Sequence, residues 1–179
     1  MLRTLARSPV LATVGQTPTE ILQAQLEKLA VNATINPITA LLDSRNGAVL
    51  YNYAITRAMR LLLAEISLVF RSLPELAALP NTLTRFGAER LETLVVGVAY
   101  RTRENVSSMC ADVRAGRRTE VEFINGYVVK RGEEVGVKCV MNYLVMQLVK
   151  GKQAMVDRER DEEVLLSGPK GGFIEGEES

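Results

Sequence analysis

Histidine and tryptophan are absent from this 179-residue chain, and cysteine occurs only at Cys110 and Cys139. Without an imidazole there is no Ser-His or Cys-His nucleophile pair, and two thiols alone make none of the usual zinc spacings, so no metal centre is expected. The composition looks intracellular, which favours two buried free thiols over a disulfide. Net charge is lacking too: 22 Lys and Arg against 21 Asp and Glu leave +1 at pH 7. With no basic run interleaved with aromatics, neither nucleic acid nor an acidic membrane is an expected partner. No apolar run reaches the roughly 18 residues that a membrane span needs; the longest, 61–70, is interrupted by Glu65. Strand patterns are almost missing, which leaves helix as the dominant element.

What is present is apolar mass, 47% of the residues against 24% charged, enough for one compact domain. Thr17-Pro18-Thr19-Glu20 is a helix start, with Thr17 as N-cap, Pro18 in the first turn and Glu20 closing a capping box. That helix is expected to end near Asn36, where Pro37 disfavours continuation, or to continue kinked through Leu42. Asp43 to Gly47 is turn chemistry. Further helices are expected over 48–71, with Leu50, Ala54, Leu61, Ala64 and Leu68 as its apolar positions, and over 83–101, 105–115, 119–132 and 140–152. The fold class is all-α, a bundle of about six helices with short joints. Residues 17–153 form the domain, 1–16 a linker remnant or N-terminal extension, and 154–179 a charged, Gly- and Glu-rich tail, solvated and mostly disordered. The first ten residues are basic and free of acids, weakly like a mitochondrial transit peptide; the competing reading makes Met1 internal to a longer protein. Gly168-Pro-Lys-Gly-Gly has no strand before it and no helix after it, and does not read as a phosphate loop.

Within the first helix Lys28, Asn32 and Asn36 recur at a four-residue spacing, so they share one stripe. Leu22, Leu26, Leu29 and Ala33 flank it on one side and Val31 and Ile35 on the other, while Glu20, Gln23, Glu27 and Thr34 are expected to form the solvated face. A cation and two carboxamides between apolar stripes need partners, because burying a polar group unpaired costs on the order of 1–3 kcal/mol. Either the protein satisfies them, with the lysine snorkelling to water, or a ligand does. A second polar oddity is Glu120, which shares a helical face with Ile124 and Tyr127 and is expected to point inward, unless it simply caps the helix. Ser107 and Ser108 stand at a helix junction. A lysine, a glutamate, carboxamides and a hydroxyl together suit a small ligand bearing a carboxylate and a carbonyl, to which an ammonium can donate a proton. Such a set cannot supply a hydride.

Three separated motifs, Lys28-Leu-Ala-Val-Asn-Ala-Thr-Ile-Asn-Pro-Ile-Thr-Ala, Arg45-Asn-Gly and the stretch from Ser107-Ser-Met-Cys-Ala-Asp to Glu120-Val-Glu-Phe-Ile-Asn-Gly-Tyr, occur in that order. Together they resemble the C-terminal helical domain of ketopantoate reductase (2-dehydropantoate 2-reductase), over residues 18–152. The resemblance implies a 6-phosphogluconate dehydrogenase C-terminal-like fold and a cytoplasmic, or alternatively mitochondrial, oxidoreductase that reduces ketopantoate to pantoate with NADPH on the way to pantothenate and coenzyme A. It implies Lys28 as the proton donor to the ketone oxygen and Asn32, Asn36, Asn46 and Ser108 as substrate-binding residues. Glu120 is implied as the acid where cofactor, substrate and lysine meet, close enough to keep Lys28 protonated. The implied partners are a small 2-keto acid and either a second copy of the chain or an NADP-binding domain in the full-length protein. Two departures stand out. Val140 occupies the place, two residues before Asn142, where the family usually has proline. The strand and Gly-x-Gly-x-x-Gly turn that seat the dinucleotide are not found, so the chain alone is expected to be inactive. The alternative is a non-catalytic dimerisation or regulatory module derived from that family.

Overall fold

The computed structural model describes residues 16–167, with side chains described through residue 162. Expectations for the basic leader at 1–15 and the Gly-rich end at 168–179 lie outside the described residues.

Helix α1, Pro18–Leu42, opens with the expected capping box: Glu20 N donates to Thr17 Oγ1 at 3.2 Å, and Thr17 N to the Glu20 carboxylate at 2.7 Å. Of the two expected ends it takes the later one: it carries Pro37 inside, runs to Leu42 and is capped by Asp43, in the left-handed region at φ 49°. Every residue from 33 to 40 is buried, because α1 is packed by α2 (Tyr53–Ser72), α4 (Ala88–Arg101), α5 (Ser108–Arg114), α6 (Val121–Glu134) and α7 (Val140–Ser167). Such a helix has no wet face to keep. Gln23 and Thr34, expected in solvent, are both buried. Thr34 satisfies its hydroxyl by donating to the Ala30 carbonyl at 2.8 Å, while Gln23 bonds Asn81 and Arg85.

The second helix begins later than expected and turns a different face inward. Asn46–Val49 is a 3₁₀ turn, and the Asn52 side chain accepts from Ile55 N, which starts α2 at Tyr53. Its core face is Met59, Leu62, Leu63, Ile66, Val69 and Phe70, whereas Leu61 and Leu68 remain 52% and 47% exposed. Ala54 and Ala64 are exposed as well. This helix carries two apolar stripes, and the one holding Phe70 wins: its ring meets Phe86 edge-on at 5.5 Å. Phe86 also splits the expected 83–101 helix into α3 (Thr82–Arg85) and α4, giving seven α-helices among the described residues. Ser67 Oγ donates to the Phe86 carbonyl at 2.6 Å and so satisfies the break.

Helix α7 passes Lys152, its expected end, and reaches Ser167. The charge run, expected to be solvated and mostly disordered, stays exposed over 158–162 but is helical. Arg158 and Glu162 pair at 2.9 Å one turn apart, and Arg160 donates to the Ala115 carbonyl at 2.9 Å. Among the described residues there is no strand, only an isolated Arg45–Val106 bridge, and no helix is long and apolar enough to cross a membrane.

Candidate functional site

The α1 stripe runs from solvent into the interior. Lys28 is exposed rather than wedged between apolar flanks, Asn32 is half-buried and Asn36 is 9% exposed. Along the axis this descent covers about 12 Å. Lys28 makes no hydrogen bond or ion pair among the described residues. Its neighbour Glu27 turns instead to Arg85 and Arg90, at 2.9 and 3.6 Å, which pins α3 and the start of α4 on α1.

Asn46 is delivered by the turn after α1. Its backbone N donates to the Asn105 carbonyl at 2.9 Å and Gly47 N to the Arg103 carbonyl at 3.0 Å. That approach leaves no room for a side chain at Gly47, where a Cβ would stand 2.9 Å from the Arg103 Cβ. The Asn46 amide is oriented unambiguously: Thr102 spends its hydroxyl proton on the Val98 carbonyl, so it accepts from Asn46 Nδ2 at 3.0 Å. Asn46 Oδ1 is left buried without a protein partner among the described residues.

Ser107 and Thr39 join α5 to α1. Thr39 donates its proton to the Ile35 and Asn36 carbonyls, so the Ser107 hydroxyl is the donor in the 2.7 Å contact between them, and Ser107 in turn accepts from Cys110 N as N-cap. Ser108, the next residue, is exposed. Cations close the C-terminal end of α1: Lys152 Nζ donates to the Leu41 carbonyl at 2.9 Å and Arg114 Nε to Asp43 Oδ1 at 2.6 Å. The Arg114 hydrogen bond holds the Asp43 carboxyl below its usual range, and burial pushes the Cys110 thiol up. Cys110 and Cys139 are both free and buried.

Glu120 departs from expectation. The helix begins at Val121, so Glu120 is the residue before it, at φ −86° and ψ 15°, and its exposed side chain does not follow the inward face of Val121, Ile124 and Val128. It makes no side-chain cap bond, and among the described residues no ion pair joins it to Lys28. Among the described residues none of the candidate side chains hydrogen-bonds another, and of them only Asn46 is held by a side-chain hydrogen bond. The polar core beneath them went unread in the sequence. Asn125 Nδ2 donates to the Ala33 carbonyl at 2.9 Å and to Asn142 Oδ1 at 3.1 Å, and Asn142 Nδ2 donates to Glu65 Oε2 at 2.8 Å. The available signal was Pro37, which removes an intrahelical donor and so requires a substitute.

A family profile described as "Ketopantoate reductase PanE/ApbA C terminal" matches residues 20–153. The chain belongs to the ketopantoate reductase C-terminal family. A 2-dehydropantoate 2-reductase of Archaeoglobus fulgidus is 40% identical over 128 residues, which are 71% of this chain and 39% of that protein. The solved probable 2-dehydropantoate 2-reductase of Bacillus subtilis superposes with a TM-score of 0.51 at 36% identity, covering 70% of this chain and 39% of the other. A dimeric ketopantoate reductase of Staphylococcus aureus gives 0.60 at 25% identity, covering 76% and 44%. The chain thus spans about two-fifths of the length of the curated relatives it matches.

In ketopantoate reductase terms, the described residues offer a polar stripe with an ammonium at its outer end and carboxamides further in. They do not fit a dinucleotide: no strand leads into a glycine-rich turn, and Glu120 is the only residue with an implied part in holding one. They also contain no group of His, Cys, Asp or Glu side chains able to hold a metal ion.

Proposed function

We propose that this chain supplies the substrate-binding and proton-donating face of an NADPH-dependent 2-dehydropantoate 2-reductase, acting on ketopantoate in the cytoplasm. The observation that carries the reading is the oriented Asn46 carboxamide, whose buried Oδ1 lacks a protein donor among the described residues, in a family member whose Lys28 is exposed. In this reading Asn32, Asn36, Asn46 and Ser108 bind the carboxylate and hydroxyl of the keto acid. Lys28 Nζ gives its proton to the ketone oxygen as negative charge develops there, and Glu120 borders the cofactor. NADPH is the hydride source of the whole reaction, and none of the described residues seats it, so no step through it is assigned to this chain.

The exposed apolar side chains Leu61 and Leu68 on α2 and Leu144, Leu148 and Met155 on α7 favour a second reading, a dimerising or regulatory module without catalysis. Binding, rather than turnover, separates the two. Ketopantoate titrated into the purified chain by calorimetry should bind, Asn36→Ala should weaken it at least tenfold, and Lys28→Ala should weaken it without moving the unfolding midpoint, since Lys28 is exposed. Absence of ketopantoate binding, with a concentration-dependent dimer instead, would sink the first reading.

A further inference from the structure

The turn of α1 between Asn32 and Asn36 is the one turn that the helix cannot close by itself. Pro37 has no N–H, so the Ala33 carbonyl has no donor four residues on, and both residues are buried. We propose that Asn125 is a positioning residue for the Lys28/Asn32/Asn36 stripe, holding this open turn by donating to the Ala33 carbonyl; the functional weight of the proposal rests on the keto-acid reading above.

The orientation of the Asn125 amide follows from its surroundings. The Ala33 carbonyl can only accept, so Nδ2 must face it, at 2.9 Å. The second Nδ2 proton goes to Asn142 Oδ1 at 3.1 Å. Asn142 cannot be flipped either, because its own Nδ2 donates to Glu65 Oε2 at 2.8 Å and to the Leu62 carbonyl at 3.3 Å. A chain of hydrogen bonds therefore runs from a carboxylate on α2 through α7 and α6 to the middle of α1, with acceptors at both ends fixing every amide. Asn125 is 0% exposed, and its Oδ1 is buried with no partner among the described residues. A leucine of similar size would remove that orphan but would leave the Ala33 carbonyl and Asn142 Oδ1 without this donor.

The consequence concerns geometry at the site. A proline inside a helix lets the segments on either side bend and rotate against each other. Here Lys28 and Asn32 stand before the break and Asn36 at its edge. The angle between their side chains is then set by whatever binds the Ala33 carbonyl, and that partner is Asn125.

The test is a mutant cycle on the full chain. Asn125→Ala should lower the urea midpoint, shift the side-chain amide NMR resonances of Asn32 and Asn36, and weaken ketopantoate binding at least tenfold. Pro37→Ala returns an N–H to the Ala33 carbonyl, so in that background Asn125→Ala should lower the midpoint by less than half as much and move the two resonances less. A core control, Val149→Ala, should lower the midpoint without shifting them. Should Asn125→Ala fail to fold, Pro37→Ala alone decides: its new N–H competes for the Ala33 carbonyl and must shift the Asn125 side-chain amide resonance. Additive effects of Asn125→Ala and Pro37→Ala, or unmoved Asn32 and Asn36 resonances, overturn the proposal. Intact coupling in a chain that does not bind ketopantoate would leave the positioning role standing and overturn the substrate reading instead.

Discussion

Replacing Glu65 with alanine should destabilise the domain by about 3 kcal/mol. Glu65 belongs to α2, yet it caps α7: Oε1 accepts from Met141 N at 2.8 Å, and Oε2 accepts from Asn142 N at 3.0 Å and from Asn142 Nδ2 at 2.8 Å. The residue before α7 is Cys139, a poor capping side chain, so the carboxylate from the neighbouring helix satisfies the first free N–H groups and sits at the positive end of the helix dipole. Losing a cap costs about 0.5–2 kcal/mol. The buried Asn142 amide, stripped of a charged acceptor, adds about 1–2 kcal/mol more, the half-buried position of Glu65 keeping the total below the sum of the upper limits. For a domain of this size the melting temperature should fall by about 6–12 °C. Glu65→Gln keeps one acceptor oxygen but turns an NH₂ group towards the other donors, and should lose about half as much. Urea unfolding followed by circular dichroism at 222 nm, with the denaturant slope unchanged, is the measurement. A loss under about 1 kcal/mol for Glu65→Ala would refute the idea that α2 caps α7.

Alkaline stability tests the buried thiol. Burial, with Glu65 and Glu133 adding to it, pushes the Cys139 thiol up to about 11. A folded-state value above the unfolded one of about 8.5 means that the unfolded chain loses this proton first, so the stability held by the neutral thiol is intact below pH ~8.5 and declines by about 2–3 kcal/mol as pH rises towards 11. Cys139→Ala should flatten that part of the profile; parallel pH curves for the two proteins would contradict it. Deleting residues 157–179 removes the Arg160 hydrogen bond to the Ala115 carbonyl, a mostly exposed contact. The melting temperature should fall by about 2–4 °C, and an unchanged value would show that the end of α7 contributes nothing.

Several boundaries were legible because their causes are local. The Thr17–Glu20 capping box starts α1, and Gly116, at φ 59°, stops the 105–115 segment by taking a backbone conformation that side chains resist. Boundaries that depend on distant partners were not. Pro37 reads either as a helix end or as a point of passage, and what tells the two apart is Asn125, 92 residues away in sequence from Ala33, which supplies the missing donor. The charge run after Lys152 reads as a tail until Arg160 finds the Ala115 carbonyl. Faces were misread for the same reason: Leu61 and Leu68 are as apolar as Leu62 and Leu63, and only the placement of the neighbouring helices decides which pair is covered.

The candidate site divides along the same line. The sequence by itself determined the all-helical class, the family, and the four-residue spacing that puts Lys28, Asn32 and Asn36 on one stripe, because helix period and motif order need no knowledge of neighbours. The tertiary structure alone decided that this stripe descends from solvent into the core, that Glu120 stands outside the helix face assigned to it, and that Asn46 is oriented with a buried oxygen unpaired among the described residues. Burial and hydrogen-bond satisfaction belong to pairs of surfaces, and only the folded chain brings those surfaces together.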